Sequence, residues 1–390
     1  MNFRTLQIHG QIHRDVHRSG HEKKRYAGAV VDPIFLSTTY EYRGAERSDE
    51  NLYGRLSNTP THTALGKKLA ALENTEAGLV LGSGMAAIST ALLAMVPAGG
   101  TIAVLDQLYG ATHAFLARRF EELGRKVRWL PLESFDDMAK AAAAVDGAAA
   151  VYVESVSNPL MRVPELENVV RAAKARGIVS IVDNTFMSPA LFQPAVLGFD
   201  VVLHSATKYL NGHSDVIAGA VAGSKKHVDM IAAWSHLLGG SLDPFACYLL
   251  DRGLKTLSVR VEAQMQTARR LAVALTKCAN VESVLYPGLD DHPDAARSER
   301  YFRGPGAMLS FVSKFDPKET DRRLAAMKLA TAAPSLGSVE SLVCRPAVTS
   351  HSWVTAEERH RAGIDDRLVR VSVGLEDTSD LIDDFFEVFG

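Results

Sequence analysis

Short apolar segments alternate with helix-like segments through the first two thirds of this chain, and this alternation constrains the fold more than any other feature. The predicted strands are residues 78–81, 101–105, 127–130, 148–153, 178–182, 201–203 and 217–221. The predicted helices are residues 64–73, 85–95, 112–123, 138–144 and 163–176. Strands that alternate with helices predict an α/β fold, in which a parallel or mostly parallel sheet is covered by helices on both faces.

The organisation of the chain changes near residues 60 and 250. Residues 1–60 are polar and poorly periodic, so we expect an extended N-terminal arm rather than a packed domain. Residues 61–250 would form the α/β domain, and residues 251–390 a smaller C-terminal α+β domain. In this last part the pattern predicts one long helix at 254–278, strands at 307–315 and 368–373, and a final helix at 380–388 with Ser379 as its cap.

Composition and charge argue against several classes of partner. Lys and Arg number 43 and Asp and Glu number 45, for a net charge of −2. This balance leaves no basic surface for nucleic acid or an anionic membrane, and no charged leader or membrane-length apolar run is apparent. The three cysteines, Cys247, Cys278 and Cys344, are far apart and odd in number, which is typical of a reducing compartment. We therefore expect a cytoplasmic protein, although these properties fit an enzyme and a binding protein equally.

Four histidines near the N-terminus recur every four residues. His9, His13, His17 and His21 could lie on one face of a helix and bind a metal ion. Two glycines interrupt this segment, and no acidic or thiolate ligand is nearby. A solvated arm is therefore favoured, and we expect no metal site.

The polar run after the strand at 201–203 is the strongest candidate for a reactive site. Ser205, Thr207 and Lys208 follow that strand directly, and Gly212 comes shortly after them. Burial disfavours the ammonium form of lysine, and a neutral amine can react with an aldehyde. Ser205 and Thr207 could hold an anion beside that amine. The ordinary alternative is a surface lysine that happens to follow a strand.

Other strand ends carry residues that would complement such a lysine. Gly84 and Met85 open a helix, where glycine and free backbone N–H groups suit a phosphate. Tyr109 could stack on a planar ring, and the Asn158 amide could donate to an oxygen on that ring. Asp183 could pair with a protonated pyridine nitrogen. Taken singly, these residues could equally be a glycine turn, a rim tyrosine, an Asn-Pro turn and a capping aspartate.

The carboxyl ends of parallel strands meet at one edge of a sheet, so these side chains are expected to lie together. An amine, two hydroxyls, a phosphate seat, a stacking ring and a partner for a ring nitrogen are the groups that pyridoxal 5′-phosphate (PLP) requires. The sequence therefore predicts PLP bound at Lys208.

Three segments carry a resemblance to a known family. They read Gly82-Ser-Gly-Met-Ala-Ala, Asp183-Asn-Thr-Phe and Ser205-Ala-Thr-Lys-Tyr-Leu-Asn-Gly-His-Ser-Asp. From about Gly28 onward the chain resembles the Cys/Met-metabolism PLP enzymes, which include cystathionine synthases and lyases, methionine γ-lyase and homoserine-ester sulfhydrylases. The resemblance implies PLP as cofactor and the fold-type-I (aspartate-aminotransferase-like) architecture.

The resemblance also implies roles for individual residues. Lys208 would carry PLP and act as the base, Asp183 would bind the pyridine nitrogen, and Tyr109 would stack on the ring and assist proton transfer. The residues implied to hold the phosphate are Gly84, Met85, Ser205 and Thr207.

Two further pairs are implied at the edges of the site. Tyr53 and Arg55 resemble the pair that reaches the phosphate of a neighbouring subunit, which implies a homodimer with shared active sites and usually a homotetramer. Ser335 and Arg370 resemble the clamp for the α-carboxylate of an amino-acid substrate, a task that suits a bidentate guanidinium.

The implied reaction is γ-elimination from an amino acid with a sulfur or other heteroatom at Cγ, giving a 2-oxo acid and ammonia. The alternatives are γ-replacement by a transferase and a non-catalytic regulator on the same fold. Pro334 stands where cystathionine enzymes commonly have glutamate, and Ala111 where methionine γ-lyases usually have cysteine. Because of these two differences from the family pattern, the identity of the leaving group stays open, and an oxygen-linked group as in canavanine is among the alternatives. Residues 344–353 are expected to line the distal pocket and to set this choice.

Overall fold

A seven-stranded sheet forms the centre of the larger part of the molecule, which we describe from a computed structural model. The structure describes residues 2–10, 29–41 and 52–390. The seven strands are β1 (Ala77–Leu81), β2 (Thr101–Leu105), β3 (Lys126–Leu130), β4 (Ala150–Glu154), β5 (Val179–Asp183), β6 (Val201–Ser205) and β7 (Gly219–Gly223). Each matches a strand that the apolar runs predict, to within a few residues.

The strand order in this sheet is β1-β7-β6-β5-β4-β2-β3. All pairs are parallel except those of β7, which runs antiparallel to both β1 and β6. The predicted mostly parallel sheet is therefore confirmed. Since β1 and β6 both run antiparallel to β7, their carboxyl ends lie at the same edge as those of β2, β4 and β5. This edge is where the polar residues of the sequence analysis cluster.

Helices cover both faces of this sheet, because each connection between parallel strands must cross over one face. The helices up to the last strand of the sheet are α1 (Phe3–His9), α2 (Pro60–Glu73), α3 (Gly84–Met95), α4 (Gly110–Phe115), α5 (Met138–Ala144), α6 (Leu166–Arg176), α7 (Ser188–Leu191) and α8 (Pro194–Leu197). Two separate clusters of buried apolar side chains pack against the sheet. Val182 and Val202 belong to one cluster, and Ile181 and Leu203 belong to the other.

The second part of the chain builds a smaller sheet with the order β10-β11-β12-β9-β8. Its strands are β8 (Val281–Leu285), β9 (Met308–Ser313), β10 (Thr331–Ala332), β11 (Leu342–Cys344) and β12 (Leu368–Ser372). The helices that follow β7 in the chain are α9 (Lys225–Leu238), α10 (Pro244–Leu254), α11 (Leu257–Leu275), α12 (Ala295–Tyr301), α13 (Pro317–Leu324), α14 (Ala356–Arg361) and α15 (Thr378–Phe389). Of these, α9 packs on α3 and the large sheet, and α10 packs on α2. The division into parts at residues 60 and 250 stays a prediction.

Of two predictions for the C-terminal helices, the long helix is confirmed and the cap of the last helix is wrong. The predicted long helix at 254–278 is present as a single helix, α11 (Leu257–Leu275), which is three residues shorter than predicted at each end. The final helix is capped by Asp377, whose carboxylate accepts from the Ser379 backbone N–H, and not by Ser379. Either side chain can cap a helix, and the ionised carboxylate gains more beside the positive end of the helix dipole.

The described residues of the N-terminal segment contact the rest of the chain. Helix α1 packs on α2, and the Gln7 side chain is buried and donates to the Lys255 carbonyl oxygen at 3.1 Å. Residues 2–10 are thus helical and docked, where an extended arm is predicted. Of the predicted histidine run, only His9 lies within the described residues. Within those residues no cluster of His, Cys, Asp and Glu could hold a metal ion, and no helix is long and apolar enough to cross a membrane.

Candidate active site

A cavity of about 600 Å³ lies at the carboxyl edge of the large sheet, and residues of the second part of the chain complete its wall. Ten of the twelve predicted site residues line it. They are Gly84, Met85, Tyr109, Asn158, Asp183, Ser205, Thr207, Lys208, Ser335 and Arg370. The structure therefore brings together side chains that are separated by up to 286 residues in the sequence.

Lys208 lies between the two parts of the chain. Its Nζ atom donates to Ser335 Oγ at 2.6 Å, and Ser335 follows β10 of the smaller sheet. Burial, and to a smaller extent the nearby positive charge of Arg370, together lower the pKa of Lys208 to about 8. An amine with this pKa is neutral in about a tenth of the molecules at pH 7, far more often than an ordinary lysine, and the neutral form is the one that reacts with an aldehyde or accepts a proton.

Arg370 is a buried cation on β12, with 3% of its surface exposed. Its Nη1 donates to Asn158 Oδ1 at 3.0 Å, and its Nη2 donates to the Ser335 carbonyl oxygen at 3.1 Å. These two contacts fix the plane of the guanidinium and leave further N–H groups, which is what bidentate binding of a carboxylate requires. Because Asn158 uses its oxygen on Arg370, its amide N–H groups remain donors toward the cavity.

The turn between β1 and α3 forms a closely packed seat beside Ser205. A Cβ atom added at Gly84 would lie 2.7 Å from Ser205 Cβ, so only glycine allows this approach. Ser83 caps α3 by accepting from the Ala86 backbone N–H at 3.0 Å. The other N–H groups of this first turn have no partner within the helix and suit an anion.

The Thr207 hydroxyl has a second role in the structure. It accepts from the Ala218 backbone N–H at 2.9 Å and donates to the Ala218 carbonyl oxygen at 3.2 Å. These contacts tie the Lys208 loop to the residue before β7. A role of Thr207 in phosphate binding stays a prediction.

Asp183 is a buried carboxylate at the end of β5 that already accepts several hydrogen bonds. The backbone N–H and the hydroxyl of Thr185 both donate to it, and Tyr152 OH lies 3.5 Å from Oδ2. Burial raises the pKa of Asp183 even so, and the Thr185 hydrogen bonds oppose that rise. A cation in the cavity beside this carboxylate would stabilise its ionised form.

Glu154 also belongs to the site, although the sequence analysis does not single it out. It pairs in register with Asp183 on the neighbouring strand and lines the cavity. Its two oxygens accept from the backbone N–H groups of Tyr109 at 2.7 Å and Asn158 at 3.2 Å. Burial raises the pKa of Glu154 well above its usual range, and the charge of Asp183 adds to this. A carboxylate directly after an apolar strand is the signal that identifies Asp183, and it applies equally here.

Tyr53 and Arg55 do not line the cavity of their own chain. The guanidinium of Arg55 lies 5.6 Å from the centre of the Tyr53 ring, and Arg55 also donates to the His236 carbonyl oxygen. Tyr53 is 43% exposed. The pair is therefore on the surface of the chain as the sequence analysis expects, while its contact with a neighbouring subunit stays a prediction.

Pro334, Val348, Thr349, Ser350 and Trp353 also line the cavity, and their place at its distal end stays a prediction. Of the segment 344–353, which is predicted to line the distal pocket, residues 344–347 do not line the cavity. Arg345 pairs with Asp321 at 2.6 Å, outside the cavity. The part of the segment that faces the cavity begins at Val348.

Comparison with known proteins agrees with this geometry. The family model described as Cys/Met metabolism PLP-dependent enzyme matches residues 14–389. The chain belongs to this family. It is 38% identical to L-methionine gamma-lyase of Treponema denticola (98% of this chain, 96% of the relative) and 39% identical to cystathionine gamma-lyase of Bacillus subtilis (98% of each). The crystal structure of cystathionine gamma synthase from Xanthomonas oryzae pv. oryzae, in complex with cystathionine, superimposes with a TM-score of 0.91 at 35% identity, covering 100% of this chain and 98% of that one.

Family membership confirms the predicted fold class, the PLP cofactor and an amino-acid substrate. The residues at the cavity fit PLP on physical grounds. The Gly84 turn suits a phosphate, Asp183 suits a protonated ring nitrogen, and Lys208 supplies an amine with a lowered pKa. The protein is a PLP-dependent enzyme of the trans-sulfuration group.

Proposed function

We propose that this enzyme catalyses γ-elimination from an amino acid with a heteroatom at Cγ. The observation that carries the proposal is the hydrogen bond between Lys208 Nζ and Ser335 Oγ at 2.6 Å, with Arg370 bound to the same serine's carbonyl oxygen. This arrangement sets a basic amine directly beside a carboxylate clamp. A substrate whose α-carboxylate binds Arg370 would therefore have its Cα within reach of Lys208.

Each residue has a defined task in this proposal. Gly84, Met85, Ser205 and Thr207 hold the phosphate of PLP, and Asp183 holds its ring nitrogen. PLP, when bound at Lys208, supplies an electron sink for negative charge at Cα. Neutral Lys208 takes the Cα proton and later moves a proton at Cβ, while the Tyr109 phenol assists the departing group. The Cγ–heteroatom bond breaks with its electron pair on the leaving group, and water completes the reaction to a 2-oxo acid and ammonia.

The test is an assay of the purified holoenzyme with methionine, cystathionine, homocysteine, canavanine and O-acetylhomoserine, without added thiol. We expect a four-carbon 2-oxo acid and ammonia in equal amounts from at least one of them. The Lys208→Ala variant should release none, because no other amine lies at the clamp among the described cavity residues. Pyruvate in place of the four-carbon product would show β-elimination and contradict the proposal.

The second candidate is γ-replacement, and the similarity to cystathionine gamma synthase favours it. Lys208 and Arg370 would have the same roles as in elimination. After the leaving group has departed, however, a thiol would add to Cγ, where elimination adds a proton. Product that forms only when a thiol or sulfide is added would support this candidate and not the lyase.

We also propose that two chains share each active site and that the dimers pair into tetramers. The position of Tyr53 and Arg55 on the surface, away from their own cavity, supports this reading. A cytoplasmic location is our further expectation, and the three free, buried cysteines support it. Size-exclusion chromatography with light scattering would measure the assembly, and a monomeric holoenzyme would contradict a shared site.

A further inference from the structure

Two residues with hydroxyl groups lie in the distal wall of the cavity, by which we mean Pro334, Val348, Thr349, Ser350 and Trp353 and which we assign to the γ-substituent of a substrate. Thr349 and Ser350 both line this wall, together with the apolar surfaces of Pro334, Val348 and Trp353. None of these five side chains carries a formal charge. The two hydroxyls are therefore the polar side-chain groups that can distinguish one γ-substituent from another.

The Thr349 hydroxyl uses its hydrogen within the protein. Its Oγ1 donates to the Arg345 carbonyl oxygen at 2.8 Å. A carbonyl oxygen can only accept, so the hydrogen of Thr349 points away from any ligand. What the oxygen retains is an acceptor lone pair.

The Ser350 hydroxyl is oriented by its neighbour His351. The His351 ring is buried, and its Nε2 lies 3.1 Å from the Leu108 carbonyl oxygen. Burial lowers the pKa of His351 to about 4, so the ring is neutral near pH 7. Nε2 must then carry the single ring hydrogen, which leaves Nδ1 as an acceptor. Ser350 Oγ lies 3.0 Å from Nδ1 and is therefore the donor of that hydrogen bond.

The segment that carries both hydroxyls packs against the residues that follow β2 of the large sheet. A Cβ atom added at Gly110 would lie 2.1 Å from the Ser350 carbonyl oxygen, so the two backbones are in direct contact at a glycine. His351 adds its bond to Leu108, 243 residues away in sequence. Neither hydroxyl can readily turn its hydrogen toward a ligand, because both backbone and ring partner are held in place.

We propose that Thr349 and Ser350 are specificity-determining residues that select a γ-substituent ending in N–H donors, such as an amino or guanidino group. Both oxygens offer lone pairs only, and a donor group on the substrate satisfies them. A tail without N–H groups would bury two acceptors without partners, which lowers affinity. The inference rests on the proposed function, since it assumes that the γ-substituent occupies this end of the cavity.

Binding to the holoenzyme tests the inference without any turnover. In arginine, citrulline and norleucine the atom attached to Cγ is a carbon, so none of them has a γ-heteroatom to lose. Each is titrated into the holoenzyme while the visible absorbance of the cofactor is followed. We expect arginine and citrulline to bind about ten-fold more tightly than norleucine, because they can donate hydrogen bonds to Thr349 and Ser350 and norleucine cannot. Norleucine binding as tightly as both would overturn the inference, and tight binding by arginine alone would show that charge and not N–H donation decides.

Variants at Ser350 test the role of the hydroxyl itself. Ser350→Ala should reduce the preference for citrulline over norleucine about three-fold or more, because one acceptor is lost. Ser350→Thr keeps the hydroxyl and should keep the preference. The control is Ser352→Ala, which removes an exposed hydroxyl from the same segment outside the cavity. If Ser350→Ala weakened both ligands equally, its role would be structural and the inference would be wrong.

Turnover separates this inference from the proposed function. Canavanine carries a guanidino group on its γ-oxygen and methionine carries a methyl group on its γ-sulfur. We expect Ser350→Ala to lower kcat/KM for canavanine relative to that for methionine by about three-fold or more. If no substrate yields a 2-oxo acid, the proposed function fails while the binding preference can still hold. If a 2-oxo acid forms but the binding preference is absent, the inference alone fails.

Discussion

At the scale of single residues, the state of Lys208 depends on what surrounds it. Burial removes water from the amine, and the buried Arg370 guanidinium opposes its protonation. Both effects favour the neutral form. In the proposed function the same arginine would bind the substrate carboxylate and help to activate the base.

The lowered pKa of Lys208 predicts how fast PLP binds to the cofactor-free protein at different pH. Only the neutral amine reacts with the aldehyde, so the loading rate should rise with pH up to about 8 and then level off. An ordinary lysine, with a pKa of 10.5, would give a rate that still rises above pH 9. Stopped-flow absorbance measures this rate. Arg370→Met removes the positive charge that helps to lower the pKa of Lys208, so the loading rate should level off at a higher pH.

The same shift makes the stability of the cofactor-free protein depend on pH. The unfolded chain holds the Lys208 proton up to its ordinary pKa, while the folded chain releases it near pH 8. The unfolded state therefore binds more protons between these values, and stability rises with pH across that window.

Gly84 is a second residue whose replacement has a specific expected effect, because its backbone lies too close to Ser205 for any side chain. We expect Gly84→Ala to weaken PLP affinity about ten-fold, since the new Cβ would displace Ser205 and lose a bond to a charged phosphate. The matched control is Gly240→Ala, where a Cβ would lie at an ordinary 3.6 Å from Ser235 Oγ. Absorbance titration with PLP gives both dissociation constants, and equal values for the two variants would contradict this role of Gly84.

At the scale of helices and strands, the sequence predicts the large sheet well, because its strands are fully buried and read as apolar runs. The polar residues that follow these runs predict most of the site for the same reason. The ends of the long helix α11 are predicted less well, since Leu254 belongs to α10 and α11 begins only at Leu257.

Contacts between distant parts of the chain are the other feature that the sequence does not reveal. The role of Glu154 depends on β2 and β4 being neighbours, which places the Tyr109 N–H beside it. The orientation of Ser350 depends on the bond from His351 to Leu108. Neither partner is close in sequence, so periodicity carries no information about either contact.

Helix α10 supports the Lys208 loop through a close contact at Gly253. A Cβ atom at this position would lie 2.2 Å from the Asn211 carbonyl oxygen. Gly253→Ala should destabilise the holoenzyme by about 1–3 kcal/mol from overpacking, reduced by up to about 1 kcal/mol of gained helix propensity. Urea denaturation followed by circular dichroism measures this as a lower midpoint. Arg252→Ala, on the exposed side of the same helix, is the control and should leave the midpoint nearly unchanged.

At the scale of the whole molecule, the site depends on the arrangement of two sheets. Lys208 follows a strand of the large sheet, while Arg370 lies on β12 of the smaller sheet and Ser335 follows its strand β10. A change in the position of one sheet relative to the other would separate the base from the carboxylate clamp. Binding of the α-carboxylate by Arg370 is therefore expected to stabilise the arrangement in which Lys208 can act.

The proposed sharing of sites between two chains predicts that defects in different chains can complement each other. In a mixed dimer of Arg55→Ala and Lys208→Ala chains, one site has both defects and the other has neither. Random mixing should then restore about a quarter of the wild-type activity, at a PLP concentration too low to saturate Arg55→Ala alone. Co-expression with two different affinity tags isolates the mixed dimer, which should have about half of the wild-type activity in a 2-oxo acid assay because one of its two sites is intact.

The matched control for this experiment pairs Lys208→Ala with Arg370→Ala. Both residues line the cavity of the same chain, so every site of the mixed dimer carries one defect and no activity should return. Activity that returned equally in both mixtures would mean that the complementation does not depend on Arg55. No recovery in the Arg55 mixture, with the mixed dimer isolated, would mean that Arg55 serves its own chain or none.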